Sequence, residues 1–194
     1  MQISNKTWLV GLGTLAITTV VYAAALTMQT APKVAKERTA ADFDVVNAIA
    51  NQGITDSKTN LTWQACLVGQ SYVNGACTGT ATEFATFDDA EKAANGNWRL
   101  PTIKELTSIS DHSTMYPAVN ADVFAFAKGL DFDDTTVNPT LWSASVSPER
   151  HAGEAKMSYA LALSNGEVVR VNINTGVADT RVQAKYVLLV KNTP

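Results

Sequence analysis

Hydrophobic and polar positions along this chain change period several times, and each change marks a turn. Ile54-Thr55-Asp56, Ser57-Lys58-Thr59-Asn60 and Leu61-Thr62-Trp63-Gln64 read as strand, turn and strand. Thr86 has the character of an N-cap, with Asp88 and Asp89 in the first helical turn. That helix is expected to run through Ala90, Ala93 and Ala94 and to stop at Asn95-Gly96. A short strand then ends at Pro101, which has no amide hydrogen and holds Leu100 extended. Thr102 and Glu105 have the spacing of a capping box, and Ile103, Leu106 and Ile109 follow on one helical face. Residues 111–139 carry little periodicity and read as a long excursion, with a short buried turn at Val123, Phe124 and Phe126. Leu141 to Val146 reads as a buried strand. Met157 to Leu163 and Glu167 to Ile173 read as a hairpin whose Asn165-Gly166 favours a type I′ turn. Tyr186 to Val190 is a last apolar strand. Near the start, Phe43, Val46, Ile49 and Ala50 predict a short amphipathic helix. Strands, two helices, a long loop and more strands predict an α+β domain over residues 53–194, with helices packed on an antiparallel sheet.

The first residues follow a different pattern. Lys6 precedes an uncharged run from Trp8 to Leu26, with small residues at its end. Residues 1–25 therefore read as a secretory signal, the competing reading being an uncleaved membrane anchor. Residues 26–52 read as a linker with the short helix. On this reading the domain is exported to the periplasm, the outer surface or the medium, and it meets a membrane only if the N-terminal segment is retained. Cys66 and Cys77 fit export. An even cysteine count around a loop holding Gly69, Asn74 and Gly75 predicts a disulfide.

Composition adds exclusions. The chain has 194 residues, 46% hydrophobic and 17% charged, enough for one folded core. Fifteen basic against 18 acidic side chains, with no basic block, argue against nucleic acid as a partner.

Several segments together resemble a known family. They are Asp56 with Leu61-Thr62-Trp63-Gln64-Ala65-Cys66, Val68-Gly69-Gln70-Ser71 with Gly75 and Cys77-Thr78-Gly79-Thr80, Trp98 to Leu106, Leu141-Trp142-Ser143-Ala144-Ser145, and Lys185 to Val190. In order and spacing they resemble the Lcl C-terminal domain, the end domain of Legionella collagen-like adhesins. Two departures stand out. Ala144 replaces the usual serine or threonine, and Val187-Leu188-Leu189-Val190-Lys191 replaces an ending of valine-arginine-x-valine-arginine. The resemblance implies a C-type-lectin-like fold: a twisted antiparallel sheet, two helices and a long loop region. It also implies ligand sites on the long loops, here residues 111–139 and 147–156.

Those loops hold the candidate ligand residues Tyr116, Asp131, Phe132, Asp133, Asp134, Arg150, His151 and Lys156. Asp131, Asp133 and Asp134 are the candidate ligands for Ca2+, because oxygen-rich loops suit calcium. Arg150, His151 and Lys156 are the only basic cluster placed to meet a polyanion. No catalytic residue is expected. Formylglycine-generating enzymes share the arginine-leucine-proline corner but need late cysteines, and both cysteines here are early. His112 reads as a helix-end histidine beside Asp111, and Thr102 and Glu105 as capping residues. Trp63, Trp98 and Trp142 read as core, leaving Tyr72, Tyr116 and Phe132 as the aromatics placed for sugar contact. The expected function is binding at the cell envelope: adhesion or recognition of an extracellular glycan or envelope protein. The alternative is a structural or assembly module, homo-oligomeric, with no small ligand.

Overall fold

In a computed structural model of the chain, the run from Tyr186 to Val190 is the spine of the domain. The structure describes residues 39, 42–45, 53–132, 138–148, 153–178 and 186–194. Val187, Leu188, Leu189 and Val190 are all buried. Alternate residues serve different cores, as in an extended segment covered on both faces, although the strand expected over Tyr186 to Val190 is assigned only from Val190 onward. Val187 and Leu189 join Phe87, Ala90, Leu100, Trp142, Ala160 and Val171. Leu188 and Val190 join Ile54, Trp63, Leu106, Phe124, Leu141 and Leu161. The family departure at Leu188 therefore places a leucine inside the core.

Two antiparallel sheets meet at this run. The first orders β1 (Phe43–Val45), β2 (Gly53–Asp56), β3 (Leu61–Gln64) and β9 (Val190–Asn192) side by side. The second orders β6 (Thr140–Ser147), β7 (Met157–Ala162) and β8 (Val168–Asn172). Tyr186 joins them: its amide donates to Thr140 O at 3.1 Å and its carbonyl accepts from Trp142 N at 3.0 Å. A third sheet is the hairpin of β4 (Ser71–Val73) and β5 (Ala76–Thr78). Helix α1 (Phe87–Lys92) contributes Phe87 and Ala90 to one core, while α2 (Ile103–Ser108) contributes Leu106 to the other. Among the described residues, two α-helices and three antiparallel sheets make the domain α+β.

The corner between the helices locks to this spine. Arg99 and Val190 exchange backbone hydrogen bonds of 2.9 and 3.0 Å, and Ala144 N donates to Pro101 O at 2.7 Å. The capping box forms as expected: Glu105 N donates to Thr102 Oγ1 and Thr102 N to Glu105 Oε2. Arg99 holds both oxygens of the same carboxylate, at 2.9 and 2.7 Å. These bonds draw the Glu105 carboxyl below its ordinary range, with Arg99 the largest cause. Ser145 accepts from Ile103 N at 2.9 Å, so β6 caps the first turn of α2. β6 bulges between Trp142 and Val146, and serines close the gap. Ser143 donates to Tyr159 O, and Ser158 lies within hydrogen-bond reach of Ser143 O and Ser145 O. Ala144, the other family departure, is exposed and leaves this network intact.

Some local expectations change. Phe43–Val45 is a strand on β2 rather than a helical turn. Phe43 is buried edge-on against Phe124, with ring centroids 5.4 Å apart, and the sheet supplies the backbone partners a helix would otherwise provide. α1 ends at Lys92, before Asn95. The β7–β8 turn is not type I′, because Gly166 has positive φ and Asn165 does not. The two-residue Asn-Gly turn with both φ angles positive lies at Asn74-Gly75 instead, between β4 and β5. His112 lies beyond the end of α2, and its exposed ring covers Gly166. Among the described residues, no helix is long and apolar enough to cross a membrane.

Candidate functional site

Where β3 gives way to the disulfide hairpin, three separate segments enclose an open groove of about 520 Å³. One wall is Gln64 to Tyr72. Gln64 N donates to Leu189 O at 2.9 Å and Val68 N to Val187 O at 3.0 Å, so this wall hangs from the buried spine. Its bend is at Gly69, φ +94°, where a Cβ would sit 2.7 Å from Thr82 N and 2.8 Å from Thr80 O. No other residue fits there without moving backbone. The Cys66–Cys77 disulfide forms, with Cα atoms 5.6 Å apart. It ties the β4–β5 hairpin to the end of the wall.

The opposite wall is the turn after α1. Trp98 N donates to Asn95 O at 2.9 Å, which brings both residues to the groove. Trp98 packs against the core of Phe87, Leu100 and Trp142 but, unlike Trp63 and Trp142, is only partly buried, so part of its ring also faces the groove. The Lys191 ammonium lies 4.6 Å from the centroid of its ring. Leu189 supplies part of the floor.

The groove carries polarity without charge. Its lining residues, Gln64 to Tyr72 with Asn95, Trp98 and Leu189, include no Asp, Glu, Lys, Arg or His. Gln70 uses its amide oxygen on Leu67 N, at 3.3 Å. The Gln64 and Asn95 side chains make no hydrogen bond among the described residues, so their donors and acceptors remain available.

The long loops look different. Tyr116 is exposed, φ +54°, and its ring meets the half-buried Phe132 edge-on at 6.1 Å. Asp131 and Lys156 are exposed. No hydrogen bond, ion pair or ring contact among the described residues joins Lys156 to Tyr116 or Phe132. Asp133, Asp134, Arg150 and His151 lie outside the described residues. Among the described residues, no three His, Cys, Asp or Glu side chains gather as a metal site. The structure thus brings Tyr116 and Phe132 together, while Tyr72 belongs to the groove.

Sequence reasoning missed Gln64, Asn95 and Trp98 as site residues. A usable signal was Trp98's position directly after Asn95-Gly96-Asn97, at a turn instead of within a strand.

A family model described as the Lcl C-terminal domain matches residues 52–191. No curated protein and no solved structure matches the chain.

Proposed function

Because the chain belongs to the Lcl C-terminal domain family, we propose that it is a binding domain of the cell envelope that recognises a glycan in the groove between Gln64–Tyr72 and Trp98. The observation carrying this reading is a partly buried tryptophan beside two unengaged amides in one concave site. A sugar ring presents a face of weakly positive C–H groups and a rim of hydroxyls. The electron-rich face of an indole suits the first, and amides that both donate and accept suit the second. Small-ligand sites are typically concave, with a few placed polar groups among apolar ones. The disulfide supports an exported location, since such bonds persist in oxidising compartments.

A glycan array probed with the purified protein tests this, with and without calcium, alongside Trp98→Ala. Binding by the wild type that is lost in Trp98→Ala supports the reading. Binding that survives Trp98→Ala but is lost in Tyr116→Ala would move the site to the long loop. No binding in either condition, together with self-association of the purified domain, would favour an assembly module.

A further inference from the structure

We infer that the groove selects an uncharged saccharide and disfavours a polyanion; this rests on the glycan reading above. Desolvation sets this preference. An anionic ligand entering a concave site leaves water and must find a partner for each charge. The lining from Gln64 to Tyr72, with Asn95, Trp98 and Leu189, offers no cation. Lys191 is the cation placed on a lining side chain, and its ammonium already rests on the Trp98 ring. One such charge cannot match the repeated sulfates or carboxylates of an acidic polysaccharide, whose recognition needs a convergent basic surface. The chain as a whole is acidic, with 18 acidic against 15 basic side chains, so long-range repulsion works against such a ligand too.

The same residues suit a neutral sugar. Each free amide carries an acceptor oxygen and a two-proton donor, the pattern that adjacent hydroxyls complement. Gln64 and Asn95 come from opposite walls, so they are placed to bracket a ring lying against Trp98. Uncharged partners release no counterions, and their affinity is nearly independent of ionic strength.

Calorimetric titration of the purified full chain separates the outcomes. One panel contains neutral hexose and N-acetylhexosamine oligosaccharides; the other contains sulfated and uronate-rich ones. Both are measured at about 50 mM and about 500 mM salt, which changes screening several-fold. The inference predicts that binding is confined to the neutral panel and changes less than about twofold with salt. Trp98→Ala should weaken it about tenfold or more. Asn95→Ala, at an exposed position, should weaken it while leaving the melting temperature unchanged, which guards against a misfolded Trp98 variant. Binding of the acidic panel alone, lost at high salt and weakened in Lys191→Ala, would overturn the inference while the glycan reading stood. Binding by neither panel would overturn both.

Discussion

The groove and the long loop both present aromatic side chains, yet they differ in how their polar groups are used. In the loop, Asp111 accepts from Ser113, Asn120 accepts from the Asp122 amide, and Asp122 pairs with Lys128. Thr114 sits within hydrogen-bond reach of Pro117 O. These groups hold the loop in shape. In the groove the backbone is held by the spine and the disulfide, so the Gln64 and Asn95 side chains have nothing structural to do. A region whose polar side chains maintain its own turns has fewer left for a ligand. A region shaped by its backbone leaves them free.

The largest expected effect lies behind the groove. Trp142 is fully buried, donates its indole N–H to Phe84 O at 3.0 Å and packs edge-on against Phe87 at 6.2 Å. Val68 and Trp98 rest against the same core. Trp142→Ala is expected to cost about 3–5 kcal/mol in denaturant unfolding. A cost below about 1 kcal/mol would mean that the groove does not stand on this core. Next is the wall itself. Cys66→Ser is expected to remove about 2–3 kcal/mol and lower the melting temperature of the non-reduced protein. An unchanged melting temperature would detach the disulfide from the stability of the wall.

A smaller effect sits at the corner that carries Trp98. The Glu105 carboxyl titrates below the ordinary glutamate value, so between the two values the unfolded chain binds the proton and the folded one does not. Its stabilisation is complete above about pH 4.3 and is lost as pH falls through the lower folded value. Arg99 stays protonated throughout this range. Arg99→Gln should lower stability at neutral pH by no more than about 1 kcal/mol, because the pair is partly exposed. Melting curves should show the gap from wild type narrowing towards acid; a gap that widens would reverse the assignment. Smallest of all, Tyr116→Ala removes an exposed ring and should shift stability by less than about 0.5 kcal/mol. A larger loss would show that the Tyr116–Phe132 pair supports the fold as the groove wall does.

The corner was legible because its causes are local. A proline, a threonine and a glutamate at fixed spacing determine where the helix starts, and the neighbours that lock them only reinforce that choice; the strand expected before Pro101 is reduced to isolated bridges at Trp98 and Arg99. The disulfide was legible for a similar reason, from two cysteines around a turn-rich loop. The groove was not, because its walls come from residues 64–72, 95–98 and 189, and nothing in one segment announces the others. Trp98 and Trp142 both read as strand tryptophans. Both pack on one core, but Trp142 is fully enclosed there while Trp98 keeps part of its ring at the groove under Lys191. Phe43 read as the start of a helix and instead pairs with β2, its ring anchored on Phe124; Val46, Ile49 and Ala50 lie outside the described residues. Asn165-Gly166 and Asn74-Gly75 are the same dipeptide, and the tight turn formed where two short strands meet directly.

Backbone amide shifts of the isotope-labelled protein, followed during titration with a glycan that binds, set the two regions against each other in one experiment. The account predicts that the perturbed amides cluster at residues 64–72, 95 and 98, with residues 111–132 unmoved. Perturbations concentrated around Tyr116 and Phe132, with Gln64, Asn95 and Trp98 silent, would contradict it.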